Sequence, residues 1–514
     1  IEEAQLSGRE LDVGVADVIK CFDTVDRSIL YAALRRLGLP RWFIRVYRRF
    51  HEAVRTRFSM ALGLGEEWYR TSGIPQGDPL SMLFLLAVFA PWPGIMRARG
   101  AKAQLYADNL KVLHASDPLA LLQALQDTAQ FVTDLGQQLA PEKCWLMSTN
   151  KDRRPKMKRW RIAGSKWKVA VDATDLGGHL NTAVCPRGAT VFKRVKTTTK
   201  EILRLRGYPG RAEDKAKLVV CKYHPMALWG AEGVWLTPER LARYRTAVCD
   251  SLMASRSHHR SPYAVTGFAH YQPLVDPAVY WLWACARQLR RFMAYREGEW
   301  TPRVQNIIGM YYGQTGWTRG PVGVLMGQLI NLGWRLSAAP VLGFTRPHRP
   351  FLPLLLGPLQ VYKEAFIRAG RDWLASKVVD SRQTFAGARC VDWYATQYLL
   401  RSQKVSARDK GLLRPRLSGA LWWAQALIRA FLVESPDCPL CGECDGPGHQ
   451  VWECKHPLIV AVRALPEFEW LMQQDRTHWP ACLLNHGVMP AVSKEGTGYE
   501  RACSMQDSAD TAFE

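Results

Sequence analysis

Two acids and one cluster of thiols with an imidazole are the residues of this 514-residue chain whose types and spacing could do chemistry. Asp17 closes the alternating run Val13, Val15, Asp17, which reads as a buried strand. An acid at the end of such a strand is costly unless a cation or a partner compensates it. Asp108 sits in Tyr106-Ala107-Asp108-Asn109, flanked by the short apolar runs Leu105-Tyr106 and Leu110 with Val112, a pattern that predicts a β-hairpin with the acid at its tip. Taken alone this is an ordinary turn, because Asp and Asn tolerate tight-turn geometry. Side by side on neighbouring strands, Asp17 and Asp108 would instead cradle two Mg²⁺ ions, the pair that phosphoryl or nucleotidyl transfer uses to activate a hydroxyl and steady the leaving phosphates.

Two further segments belong to this constellation. In Gly73-Ile74-Pro75-Gln76-Gly77-Asp78-Pro79, Pro75 and Gly77 shape a tight loop that presents Gln76, and the glycines allow close approach of a flat or phosphorylated ligand. Leu139-Ala140-Pro141-Glu142-Lys143-Cys144 places a lysine at the entrance of a strand. Near the other end, Cys438, Cys441, His449 and Cys454 form a C-x2-C-x7-H-x4-C array, with Cys444 or His456 as substitute ligands. Unless the cluster is accidental, three thiolates and one imidazole suffice for a tetrahedral Zn²⁺ site with no open position, so the zinc would be structural.

The elements that must position these residues are well signalled over 11–182, where strands alternate with helices. Asp26 caps a helix with Ile29, Leu30, Ala33, Leu34 and Leu37 on one face; Asp78-Pro79 opens a second through Ala90; Asp117-Pro118 opens a third with Leu121, Leu122, Leu125, Ala129 and Val132 inward. Strands mixed with helices and tight hairpins predict an α+β layered fold. From about 190 to 340 the pattern is helical and basic, as in Lys193-Arg194-Val195-Lys196. The stretch Arg346-Pro347-His348-Arg349-Pro350-Phe351-Leu352-Pro353 reads as a linker, with helices resuming before the cysteines. Lys and Arg total 69 against 46 acids, a net charge of +23, which calls for a polyanionic partner, nucleic acid before a membrane surface. The longest apolar run, Met82 to Ala90, is too short to span a bilayer, so no membrane span is expected. Thirteen cysteines, mostly dispersed, fit a reduced intracellular protein with one metal site. Basic residues interleaved with tryptophan, from Arg153 to Arg161 and from Lys166 to Lys168, are placed to clamp phosphates, or else form a solvated charged hairpin. The chain begins at Ile1 and enters its pattern within about ten residues, so an amino-terminally incomplete piece is expected.

In their order along the chain, the four segments resemble the palm of reverse transcriptases, above all those of non-LTR (LINE-like) retrotransposons and their group II intron relatives. The family's D-x-x-K-A-F-D-x-V motif matches Asp17, Lys20, Phe22, Asp23 and Val25, with Cys21 at the alanine. The resemblance implies that Asp17 and Asp108 are the Mg²⁺ ligands and that Phe22 is the bulky gate against a ribose 2′-OH. It further implies that Pro75, Gln76, Gly77 and Tyr106 bind the incoming nucleotide, that Lys143 protonates the departing pyrophosphate, and that Leu176, Gly177 and Gly178 grip the primer. Ala227 to Glu232 resembles a thumb-region motif, and the Cys/His array resembles the zinc knuckle that follows the thumb. The implied fold is a right-hand polymerase palm, an antiparallel sheet with packed helices and partial fingers over 1–182, then a helical thumb and connection over 183–340. A Pro-rich linker and helical region follows over 341–433, and a zinc-binding segment with a tail over 434–514. The implied function is RNA-directed DNA polymerisation by a two-Mg²⁺ nucleotidyl transfer, with an RNA template, a DNA primer and deoxynucleoside triphosphates as partners, no membrane, and residence in the nucleus. One catalytic position departs from the pattern: Asn109 stands where most relatives carry a second Asp, which keeps open the alternative of a catalytically inactive, nucleic-acid-binding relative. Only 60 residues follow Cys454, short for an endonuclease domain, so target cleavage is expected from another segment or protein.

Overall fold

Strand β1, Leu11–Asp17, is the axis of the first structural unit, because its alternating side chains feed two cores at once. Val13 and Val15 join Trp145 and Met147 on one face, while Ala16 joins Leu110, Val112, Leu121 and Leu125 on the other. That second face is made of small residues for a steric reason. A Cβ on Gly14 would stand 2.7 Å from Leu125 Cδ1, so glycine is what lets the overlying helix approach. The computed structural model describes residues 1–491 except 116, 183–187, 254–259, 271, 273, 296, 314–319, 340, 348 and 430.

Around β1 the chain adds α1 (Arg27–Arg36), α2 (Arg41–Ala53), α3 (Ser81–Phe89) and α4 (Trp92–Ala98). Next come β2 (Lys102–Tyr106), β3 (Asn109–Ala115), α5 (Pro118–Asp134), β4 (Trp145–Ser148) and β5 (Lys168–Val169). Asp26 caps α1 by accepting from the Ser28 and Ile29 N–H groups, and Asp117 caps α5 from Leu119 and Ala120. Leu37 is an exception to the expected apolar face. It follows the last turn of α1 and is exposed. The sheet runs β2-β3-β1-β4-β5. It departs from the expected all-antiparallel palm at one edge, where β5 runs parallel to β4 because residues 149–167 cross over to the same end of the sheet before re-entering it.

Two expectations need correcting in this unit. Arg153 and Arg154 are not available to clamp phosphate. Arg153 pairs with Glu10 and reaches the fully buried Asp12 at 2.7 Å, while Arg154 donates to the Ser148 carbonyl at 3.0 Å. A buried carboxylate needs that countercharge. Trp167 is buried and Trp160 packs on the same core, so neither ring is free to stack on a base. Further, Ser81–Ala98 is long and apolar enough to cross a membrane by length and composition, contrary to the expectation of no such segment. Here Phe84, Phe89, Trp92 and Met96 fill the core of the unit.

The fold divides into a first unit, Ile1–Ala173 with Leu180–Arg187, and a second, Thr174–His179 with Gly188–Glu514. In the second, the proline-rich stretch is not a linker. Gly343–Arg346 and Arg349–Pro353 are the central and outer strands of a three-stranded antiparallel sheet begun by Arg335–Ser337. Pro350 and Pro353 fit because that strand lies at the sheet edge, where a missing N–H costs no ladder bond; His348 lies outside the described residues. The helical body is tied by Arg245, buried with Asp276 in a two-point ion pair at 2.6 and 3.1 Å. Asp276 also accepts from the Ala278 N–H at 2.8 Å, capping the helix Pro277–Tyr295.

Nearby, His224 is buried as a neutral ring whose two nitrogens are both satisfied, by the Tyr244 hydroxyl at 3.1 Å and the Val275 carbonyl at 2.9 Å. Burial drives its pKa down to about 4, and that of the equally buried His270 down to about 3. A histidine held below its unfolded value favours folding fully above about pH 6.5, and that favour drains away as the pH falls toward the folded value, at up to about 1.4 kcal/mol per pH unit per ring. Urea unfolding of the second unit is therefore expected to shift to a lower midpoint between pH 7 and pH 5. An unchanged midpoint would contradict the buried neutral assignment.

Candidate active site and metal centre

The antiparallel register of β1 and β3 pairs Asp17 with Asn109, and that of β2 and β3 pairs Tyr106 with Asn109. Ala107 and Asp108 are thus the two-residue loop of the hairpin, adjoining the end of β1 that carries Asp17. Ala107 has φ +52°, a left-handed conformation that a non-glycine residue adopts at a cost of about 1 kcal/mol or more, and it holds the turn that presents Asp108. Asp108 lies close enough for its charge to raise the Asp17 pKa. Burial is the largest cause of that rise, and Lys143 opposes it. Lys143 Nζ is 3.2 Å from Asp17 Oδ1, and this bond pushes the lysine pKa up. The two partners do not shift as a simple ion pair would, because dehydration of Asp17 outweighs the gain from an ammonium that is itself in solvent.

The lysine is delivered by backbone pairing. Segment 138–144 runs beside the end of β1, with Ala140 N–H donating to the Asp17 carbonyl and Ile19 N–H to that of Gln138, both at 2.8 Å. Gln137 Nε2 donates to the Cys21 carbonyl at 2.9 Å and fixes the helical turn Cys21–Thr24 that follows the first acid. Two thiols flank the site. Cys21 and Cys144 are pushed up to about 12 and about 11, mainly by burial, and stay protonated at neutral pH.

The Gly73–Gly77 loop docks on the same turn. Ile74 N–H donates to the Phe22 carbonyl at 2.8 Å and Gly73 N–H to that of Val25 at 2.9 Å. Gly73 has φ +79°, and a Cβ there would stand 2.6 Å from the Asp23 carbonyl oxygen, so both conformation and space demand glycine. Arg27 donates to the Gly73 carbonyl at 2.9 Å, and Ser81 Oγ to that of Pro75 at 2.6 Å. Ile74 is buried beneath, while Gln76 and Gly77 face solvent above.

Leu176, Gly177 and Gly178 lie in a hairpin turn of the second unit. Leu176 and Gly177 both have positive φ, +49° and +79°, the geometry of a type I′ loop. Trp229 and Gly230 from the Ala227 to Glu232 motif pack directly on it. A Cβ on Gly177 would meet Trp229 Nε1 at 2.7 Å, and one on Gly230 would meet Gly178 Cα at 3.1 Å. Arg194 ties the two together, donating to the Gly177 carbonyl at 2.6 Å and the Trp229 carbonyl at 2.8 Å. Sequence reasoning placed Arg194 in a basic helical run without a role and treated the two motifs separately. It also missed Arg70, which pairs with Asp23.

The second centre is compact. One ligand atom from each of Cys438, Cys441, His449 and Cys454 lies within 4.8 Å of the others. Gly442, at φ +76°, closes the C-x2-C turn by donating its N–H to the Cys438 carbonyl at 2.9 Å. His449 turns Nε2 toward Cys441 Sγ at 3.2 Å, leaving Nδ1 3.7 Å from Glu453. Three soft sulfurs and one imidazole at such spacing suit a tetrahedral Zn²⁺.

Residues 6–172 match the family model described as reverse transcriptase (RNA-dependent DNA polymerase), the stretch that holds Asp17, Phe22, Gln76, Asp108 and Lys143. That stretch is similar to reverse transcriptase domains, and two curated relatives are proteins of retrotransposable elements. The chain is 26% identical over 248 residues to the retrovirus-related Pol polyprotein from type-2 retrotransposable element R2DM of Drosophila melanogaster, covering 44% of this chain and 23% of that protein. It is 32% identical over 157 residues to that of type-1 retrotransposable element R2 of Nasonia vitripennis, covering 28% of this chain and 15% of that protein. The chain thus spans less than a quarter of the length of these relatives. A telomerase structure from Candida albicans, in complex with a fragment of telomeric RNA, aligns with 49% of this chain and 50% of that one at 12% identity and TM-score 0.28.

Proposed function

We propose that the chain is an RNA-directed DNA polymerase of a retroelement, adding deoxynucleotides to the 3′-hydroxyl of a DNA primer on an RNA template. The observation that carries this reading is the register that sets Asp17 opposite Asn109, with Asp108 in the adjoining turn. Asp17 and Asp108 would hold two Mg²⁺ ions, which when bound would activate the primer hydroxyl and stabilise the leaving pyrophosphate. Lys143, an ammonium already within reach of Asp17, supplies positive charge and a proton to the departing pyrophosphate. Phe22 crowds the ribose 2′ position, while Pro75, Gln76, Gly77 and Tyr106 form the floor for the nucleotide. The turn at Leu176, Gly177 and Gly178, braced by Arg194 and Trp229, holds the primer. The helical body of the second unit serves as thumb and connector, and the net charge of +23 supports a nucleic-acid partner whose element must reach chromosomal DNA in the nucleus.

Asn109 favours a second reading, a palm that binds nucleic acid without catalysis, because an amide ligates a divalent ion more weakly than a carboxylate. Extension of oligo(dT) on poly(rA) separates the two. The native chain is expected to extend the primer, Asp17→Ala to lose on the order of a hundredfold or more of that activity, and Asn109→Asp to gain. A native chain that shifts the labelled duplex yet extends nothing, with Asn109→Asp equally inert, would favour the binder.

Cys438, Cys441, His449 and Cys454 would hold a structural Zn²⁺, stiffening the segment after the helical body. Native mass spectrometry of the whole chain is expected to find one zinc per molecule, lost in Cys438→Ser. Retention of zinc by that variant would refute the ligand set.

A further inference from the structure

Asp23 has no part in the chemistry above, yet it ties the first motif to residues 70–76 at three points. Its carboxylate accepts from the Arg70 guanidinium on Oδ1 and from Gln76 Nε2 on Oδ2 at 3.4 Å, while its backbone carbonyl accepts from Ser72 Oγ at 3.1 Å. It follows Phe22 directly, and the Phe22 carbonyl accepts from Ile74 N–H, so Asp23 sits where the first motif and the Gly73–Gly77 loop are clamped together. Arg70 supplies its countercharge, from a side chain that is only partly exposed.

A carboxylate offers acceptors only. Of the two ends of the Gln76 amide, only the NH₂ can turn toward Asp23, which leaves Oε1 turned away on an exposed residue at the nucleotide side of the loop. A glutamine without such a neighbour is free to present either end. We propose that Asp23, locked by Arg70, is a positioning residue that fixes the Gln76 amide with its oxygen outward, so that the loop recognises a hydrogen-bond donor on the incoming nucleotide. The proposal rests on the polymerase reading and deepens it, since it assigns the polarity of the contact. Asparagine at position 23 can keep the Arg70 bond through its oxygen while turning its own NH₂ toward Gln76, which reverses that polarity.

A double-mutant cycle in steady-state primer extension tests this with native chain, Asp23→Asn, Gln76→Ala and the pair. Asp23→Asn is expected to raise the KM for the deoxynucleotide about tenfold while kcat changes less than about threefold. In the Gln76→Ala background the same change is expected to add less than about twofold. A merely structural role would lower kcat at unchanged KM and persist in that background, and this result would overturn the proposal while leaving the polymerase reading intact. A native chain that extends no primer would overturn both.

Discussion

Two carboxylates set at one end of adjacent strands repel each other, burial strips water from Asp17 as well, and the first unit is organised around making that arrangement tolerable. The constraint is the antiparallel register of β1 on β3. A slip of one residue would turn Asp17 to the opposite face of the sheet and send Val13 and Val15 out of their cluster. Burial of the valines and of Ala16 therefore fixes the position of the acid as firmly as any contact made by the acid itself. Lys143 then offsets part of the electrostatic cost, and the backbone bonds from segment 138–144 hold it there.

The same economy appears where loops meet. Gly73 and Gly177 occupy left-handed conformations with no room for a Cβ, one against the backbone of Asp23 and the other against Trp229. Each brings a short motif into contact with a second one distant in sequence. The strain at Ala107 is of the same kind, a turn conformation sustained because the paired strands on either side over-determine it.

Periodicity and caps made the helices at Arg27–Arg36 and Pro118–Asp134 legible, since Asp26 and Asp117 announce their first turns. The two acids and the four zinc-type ligands were legible as residue types at characteristic spacings; their convergence depends on pairing between distant segments, which composition cannot report. The failures have physical causes too. Arg153 and Arg154 looked like a phosphate clamp because their partners Asp12 and Ser148 are remote or backbone groups. Prolines at 350 and 353 looked like a linker because the pattern does not reveal a sheet edge that tolerates them. Arg70 and Arg194 carried no signal beyond charge, since what matters is which carboxylate or carbonyls they reach.

Whether Asp17 and Asp108 share divalent ions is tested most directly by electron paramagnetic resonance titration of the whole chain with Mn²⁺. Tight Mn²⁺ binding in the native chain, removed by Asp17→Asn and equally by Asp108→Asn, is the result expected from the paired strands. Binding that survives either substitution unchanged would mean the two acids do not act together, and would contradict the site.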